Sequence, residues 1–421
     1  MSETRSKLIA LGALRHGHEF AGLRALPTVD SHAGCQLIRW LDQSGVALML
    51  LRRLQKHQAT AQLPEAWRKA LEARQARNIE RVEDMVQEAR RIQTSFLSHG
   101  VRAACLKGFS LSPDFCEDPF IRHQTDFDFL VSRDSVYAAA NVLRTCGYSA
   151  AKVNETGETC FVTPLRHIPS AKDDLYALQR HRQVDLHVSV WEPCAWLQVD
   201  APEDCLDFAE PQHTSGFEYL ALSLEDKFLV QVLHVFRHSL RSWIRLSWLL
   251  EIANCMEKHE ENAHLWNRLI HRADAGRLTK TIFAFVLGLV NQLLGTPIPQ
   301  PLHAWQNAAV SPSLRVWLND FALDWALADW PGSLNNLLMA AEFIPNRSDR
   351  RKYWQSRLLP GRAHTTLGNI ATVNARSFLQ LQAARFEYVV QRAAVHLLDI
   401  AGLPRQQLRW RRAQGSVRNL L

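Results

Sequence analysis

No Cys-x-x-Cys pair occurs in this chain of 421 residues, although it has eight cysteines. Scattered single thiols exclude a zinc ribbon and a dithiol redox motif, and leave buried, reduced cysteines as the expectation. Long apolar runs are missing too. The longest uncharged one, Ile282 to Val290, falls well short of the roughly 18–20 residues that cross a bilayer. Near the start, Arg5 and Lys7 precede an apolar run from Leu8 to Leu14. Arg15-His16-Gly17-His18 then stands where a small-residue cleavage site would be, so no signal peptide is expected. These absences predict a protein without a membrane span, working in the cytoplasm. No internal repeat of the solenoid kind is visible.

The remaining composition, 47% hydrophobic and 22% charged, is that of a folded globular chain and excludes disorder or a collagen-like architecture. The net charge of +7 is unevenly placed. Residues 346–421 hold 14 Lys and Arg against 3 Asp and Glu, whereas residues 1–345 are slightly acidic, 35 against 39. The basic end, with Arg405, Arg409, Arg411 and Arg412 around Trp410, is a solvated tail or a surface for an acidic partner, a nucleic acid or an anionic membrane.

Apolar residues in helical spacing (Leu37, Leu41, Leu48, Leu51, Leu54, then Leu71, Ile79, Val82, Val86, Ile92, Phe96) predict helices over residues 36–98, broken at Pro64 and stopped at Gly100. The period then changes. Val101 to Leu106 and Asp126 to Val131 read as buried strands, with a helix between Ser135 and Cys146. In Val184 to Trp191, Val184, Leu186, Val188 and Val190 alternate with Asp185, His187 and Ser189, as in a strand with one polar face. Leu224 to Phe236, Trp243 to Met256 and Leu278 to Leu294 read as helices, and a last helix is expected over Ser377 to Ala401. Eleven of the thirteen tryptophans lie at or after Trp191, which predicts a helical core built on large aromatics.

Chemistry concentrates in the strands. Residues two apart in a strand share a face, so Asp126 and Asp128 stand side by side and repel each other unless a cation lies between them. Oxygen ligands of this kind suit Mg²⁺. Asp185 on a neighbouring strand adds a third carboxylate, enough for two divalent ions. Gly108, in the turn after Lys107, lets backbone approach a phosphate. Arg122 has the planar fork that fits phosphate oxygens, and His187 shares the face of Asp185. His234 and His238 share one helix face that continues through Arg241 and Arg245, and no glutamate lies within the pair to make a metalloprotease motif.

Taken in order, Leu106-Lys107-Gly108, Arg122, Asp126-Phe127-Asp128, Gly147-Tyr148, Asp185-Leu186-His187, His234-x-x-x-His238 and Arg245-Leu246-x-Trp248 resemble the uncharacterised bacterial nucleotidyltransferase-like proteins of the DNA polymerase beta type nucleotidyltransferase superfamily. The resemblance spans roughly residues 36–256. It implies Asp126, Asp128 and Asp185 as catalytic metal ligands for Mg²⁺ or Mn²⁺. Lys107, Gly108, Ser110, Arg122, His187, His234, His238 and Arg245 are the expected nucleotide contacts. The His234 face would then meet the nucleotidyltransferase core, or else form a polar seam between domains.

The expected fold is α+β: a small mixed sheet flanked by N-terminal helices and a larger C-terminal helical domain. The expected boundaries are 1–98, 99–200, 201–345 and a basic helical region at 346–421. The expected reaction transfers a nucleotidyl group from an NTP to an unidentified acceptor, small molecule, protein or RNA, with release of pyrophosphate. Two alternatives stand beside it. One is a catalytically degenerate nucleotide-binding or interaction module of a biosynthetic cluster, which Phe109 directly after Gly108 favours. The other is a toxin-like regulator that modifies a protein or RNA.

Overall fold

The computed structural model describes residues 2–358 apart from 18–19, 154–158, 163–174, 177, 179–181, 192–195, 215–216, 241–243 and 330–333, together with positions scattered between 386 and 412. Most of the helix expected over Ser377 to Ala401, as well as Arg241 and Cys194, lies outside the described residues. The architecture is α+β, a seven-stranded mixed sheet with helices before and after it.

Three helices open the chain: α1 (Glu3–Leu14), α2 (His32–Gln43) and α3 (Ala47–Lys56). The apolar run after Lys7 is the body of α1, with Ala10, Leu11, Ala13 and Leu14 buried. Gly45 separates α2 from α3 with a positive φ of 71°, a second break beside the one expected at Pro64. A long helix, α4 (Glu65–Ser98), then buries Leu71, Asn78, Val82, Met85, Ala89, Ile92 and Phe96 at steps of three, four or seven, which is one face. It stops where Gly100 turns left-handed. The Gly100 N–H bonds to the Leu97 carbonyl at 3.1 Å and that of Val101 to Phe96 at 2.9 Å, satisfying the last carbonyls.

The strands are β1 (Ala103–Cys105), β2 (Asp126–Val131), β3 (Ser149–Val153), β4 (Thr159–Val162), β5 (Gln183–His187), β6 (Glu210–Thr214) and β7 (Phe217–Ala221). Their spatial order is β3-β4-β5-β2-β1-β7-β6. β2 pairs with β5 in parallel and with β1 antiparallel, and β1 pairs with β7 in parallel. β6 and β7 thus carry the sheet beyond residue 200. The helix α5 (Val136–Thr145) follows β2.

Alternation sorts the two faces. Phe127, Phe129, Val131, Val184 and Leu186 pack with Met85, Ile92 and Phe96 of α4 and Ala139 and Leu143 of α5. Phe96 meets Phe129 edge to face at 5.3 Å. Asp126, Asp128, Asp185 and His187 point the other way. β5 is shorter than the alternation of residues 184–191 predicts: the chain bends after His187, and Trp191 turns into the helical core to stack on Phe236 at 6.3 Å.

That core belongs to α6 (Leu224–Ser239), α7 (Leu246–Lys258), α8 (Ala263–Asp274), α9 (Arg277–Leu294) and the shorter helices between His303 and Leu358. By length and composition α9 is long and apolar enough to cross a membrane, more than its uncharged run indicates. Its Ile282 to Val290 stretch is instead enclosed by neighbouring helices, as in a core helix. Phe285 within it meets Trp317 and Phe343, and Trp317 meets Trp325 edge-on, the aromatic core that the tryptophan distribution predicts. Part of the basic end folds back here: Arg409 reaches Asp324 at 3.3 Å and lies over Phe321, which Trp410 meets edge-on.

Phe129 is the aromatic plug between sheet and α4. Phe129→Ala is expected to cost about 3–5 kcal/mol, read as a shift of the urea midpoint at unchanged slope.

Candidate active site

The acids come together because strand register aligns them. Asp128 on β2 and Asp185 on β5 are direct partners in the parallel ladder, and Asp126 lies two residues earlier on the same face. Each is largely screened from water by its surroundings. Asp126 has Thr125 Oγ1 at 3.4 Å. Asp185 accepts a bond at Oδ2 from Gln183 Nε2 at 2.8 Å, while its Oδ1 is buried with no hydrogen-bond partner. Asp128 has the most help: Lys107 Nζ lies 3.1 Å and His187 Nε2 2.9 Å from its Oδ1.

The three carboxyls therefore differ in proton affinity. Burial by itself would raise all of them. In Asp128 that effect is overcome by the Lys107 ammonium and the His187 hydrogen bond, which hold it well below the usual carboxylate range. In Asp185 burial dominates and the charges of Asp128 and Asp126 add to it, pushing the group up to about 7. Asp126 is also raised, by burial and by Asp128. One anion and two reluctant acids share the face.

Lys107 and Gly108 sit above this face at the end of β1. Gly108 has a φ of 71°, and a Cβ there would lie 2.3 Å from Gln124 Nε2. That amide in turn donates to the Asp126 carbonyl at 2.9 Å. The left-handed φ is what calls for glycine here, and the Gln124 brace adds a steric bar, constraints separate from the phosphate approach expected of it. The single 3-10 turn that follows, Gly108–Leu111, is buried throughout. Ser110 lies inside it, its hydroxyl donating to the Lys107 carbonyl at 3.3 Å and its own carbonyl accepting from Lys227 at 3.3 Å. It is a strut beneath the turn and is not brought to the carboxylates.

The helical domain closes over the other side. His234 of α6 joins Lys107, His187 and Arg237 around a small cavity of about 30 Å³, roughly the room of one water. Burial and the Lys107 charge keep His234 well below the ordinary histidine range, so it is neutral. Its ring packs on those of His238 and Trp248, both at 4.5 Å. The His234 face does meet the sheet, and His238 lies behind His234 in the stack with Trp248.

Arg122 and Arg245 are both enclosed. Arg122 pairs with Glu251 of α7 at 2.8 Å, and Gln231 of α6 donates to the other oxygen of that carboxylate at 2.5 Å. Arg245 donates to His123 Nδ1 at 2.9 Å, and His123 passes its own Nε2 hydrogen to the Leu175 carbonyl at 2.7 Å. Burial first, then Arg81 and Arg245, hold His123 well below its usual range, as an acceptor at Nδ1 requires. Tyr176 packs edge-on against His123 and donates to Asp42 of α2, which Arg74 of α4 also grips. Sequence reasoning missed His123, Gln124, Gln183 and Glu251. Only the polar positions of the alternating strands could have signalled Gln183, since the others depend on contacts far along the chain.

Larger clefts exist elsewhere. One of about 1030 Å³ is lined by Asp204, Phe208, Glu210 and Arg272, and another of about 780 Å³ by Arg52, Lys56, Asp114 and Glu117. Their charges answer one another: Arg272 bridges Asp204 and Asp226, while Lys56 and Arg52 hold Glu117. Chemistry rather than size singles out the carboxylate face.

Donor type decides whether this face suits a divalent cation. Among the described residues no three His, Cys, Asp or Glu side chains are closed up as a metal-binding group. The donors are nonetheless oxygens, one of them a buried orphan on Asp185, although Lys107 and His187 both lie on Oδ1 of Asp128. They fit a hard oxygen-seeking ion such as Mg²⁺ or Mn²⁺.

Residues 35–295 match the sequence model of a family described as an uncharacterised nucleotidyltransferase. Neither the comparison with curated proteins nor that with solved structures returns a match.

Two outcomes are expected from this geometry. Gly108→Ala should lose more than about 1 kcal/mol, and Gln124→Ala should recover part of that loss in the double variant, read by denaturant titration as a double-mutant cycle. Asp185 binds its proton more tightly folded than unfolded. Stability should therefore fall as pH rises from about 4, its unfolded value, to about 7. Asp185→Asn cannot ionise, so its melting temperature should vary less across that window and exceed the wild type's at pH 8 when divalent ions are chelated.

Proposed function

The chain belongs to this uncharacterised nucleotidyltransferase family, and from that premise we propose that it transfers a nucleotidyl group from an NTP to an acceptor, releasing pyrophosphate. The observation that carries the proposal is the ladder alignment of Asp128 with Asp185, with Asp126 on the same face and the Lys107–Gly108 turn beside them. This convergence falls wholly within the matched residues.

Asp126, Asp128 and Asp185 would hold Mg²⁺ or Mn²⁺. When bound, the ion neutralises triphosphate charge and acidifies the acceptor. The chain's own groups do the rest. Lys107 and His187 keep Asp128 ionised at any working pH, and Gln183 holds Oδ2 of Asp185 while its buried Oδ1 has no hydrogen-bond partner. Asp185, whose proton affinity burial and the neighbouring acids raise before an ion binds, would accept the proton of the acceptor as its oxygen bonds to the α-phosphorus. The bond from that phosphorus to its bridging oxygen breaks, and pyrophosphate carries the electron pair away. His234, neutral beside Lys107, is a hydrogen-bonding rather than a charged contact for the nucleotide. The basic end would add an acidic partner, with Arg405 and Arg411 exposed for it.

One observation favours the degenerate alternative. Lys107 now occupies the carboxylate that a cation needs, and a chain in which it never leaves would bind nucleotide without turnover.

Purified protein incubated with each labelled NTP, Mg²⁺ or Mn²⁺ and cell extract separates these cases. Label on a small molecule indicates biosynthesis, label on protein or RNA indicates a regulator, and binding without transfer indicates the degenerate module. Asp128→Asn is expected to weaken Mg²⁺-dependent NTP binding by tenfold or more, by about 1.4 kcal/mol at least. Because Lys107 loses its counter-ion, the same variant should melt lower while its far-UV circular dichroism at 20 °C, on the order of room temperature, stays native. Unchanged NTP affinity in Mg²⁺ titrations would remove the metal assignment.

A further inference from the structure

One charge beside the site is left unanswered. Arg81 of α4 is wholly buried, and none of its three guanidinium nitrogens has a hydrogen-bond partner. An arginine has five N–H donors in a fixed fork, and burying them unmet is among the costlier arrangements a fold tolerates. Its place is firmly set. One turn earlier, Asn78 donates to the carbonyls of Phe120 and Arg122 at 2.6 and 3.2 Å, pinning α4 against the segment that leads into β2.

The groups that act on Arg81 are those of the site. Asp126 attracts it, while Arg182 and Arg245 repel it. Burial and the two arginines lower its proton affinity to about 10, so it is charged at neutral pH. The neighbouring cations are already engaged: Arg182 holds Asp84 at 2.5 Å, and Arg245 holds His123. With those two engaged, the open fork of Arg81 is available to an anion that enters the region.

We infer that Arg81 is the receptor for the polyphosphate tail of the nucleotide, its free fork bonding phosphate oxygens beside Asp126. The inference rests on the nucleotidyl-transfer reading above and names the residue that grips its substrate. The guanidinium plane matches two phosphate oxygens at once, which a lysine cannot do. Since Arg81 is fully covered, the anion reaches it only through a local opening, and binding selects that open form. A purely structural arginine, serving as counter-ion to Asp126, makes the opposite forecast in each measurement below.

The test uses the full chain in EDTA, titrated calorimetrically with sodium tripolyphosphate, in wild type, Arg81→Met and Arg81→Lys. Saturable binding is expected in the wild type. Arg81→Met should bind at least about tenfold more weakly, the worth of one charge-assisted hydrogen bond. Without ligand it should melt at or above the wild-type temperature, because an unmet buried charge has gone. Arg81→Lys, which keeps the charge and loses the fork, should be intermediate. The inference is overturned if the wild type does not bind tripolyphosphate, or if folded Arg81→Met binds it as the wild type does. Should the Met variant not fold, wild-type affinity in Arg81→Lys overturns it equally. Parallel titrations with Mg²⁺ and NTP keep the two readings apart. NTP binding indifferent to Arg81 sinks this inference alone, whereas Arg81-dependent tripolyphosphate binding without any NTP binding sinks the nucleotide reading and leaves Arg81 as a receptor for polyphosphate only.

Discussion

Like charges on one face of a β-sheet are the constraint from which the rest of this protein follows. Asp126, Asp128 and Asp185 are fixed beside one another by the ladder between β2 and β5, and the fold offers them unequal compensation. Lys107 and His187 both serve Asp128, so the other two acids are driven towards their neutral forms. That division leaves repulsion at a buried site, which positive charge between the carboxyls would relieve. A helical protein with the same composition would have no reason to accept the arrangement, because each carboxyl could rotate out to solvent.

Around the acids, polar contacts tie together parts of the chain that lie far apart. Glu251 of α7 takes Arg122 and Gln231, and Arg245 takes His123, which leads through Tyr176 to Asp42 and Arg74. N-terminal helices, sheet and helical domain meet at the segment just before β2. The helices are therefore not a neutral shell. They determine where the loop from Arg122 to Thr125 sits, and through Gln124 they brace the backbone of Asp126.

Much of this was legible from residues. Asp126 to Val131 has the bounds its alternation predicts, and the polar side of the β5 pattern carries the acid expected there. β6 and β7 were not legible, because Glu210-Pro211-Gln212-His213-Thr214 has no apolar alternation and gains its place by pairing with β7. The seat of Lys107 on Asp128 depends on the antiparallel register of β1, which spacing along the chain does not contain. Gly108 was read for its freedom, which its left-handed φ uses, while the side chain crowding it, Gln124, lies 16 positions on. Arg81 had a signal that went unused: with Asn78 it is a polar residue on the buried stripe of α4, between Leu71 and Met85, and a polar residue in such a stripe calls for a partner.

The pairing of β2 with β5 also sets what this chain tolerates as it diverges. In the connection between Val131 and Gln183, α5 packs against the sheet and β4 pairs with β5, so change there is tolerated only where those contacts are kept. A slip of β5 by one position is another matter. Asp185 would rotate into the phenylalanines beneath the sheet and Leu186 would emerge in its stead, turning a charged recess into a greasy one in a single step.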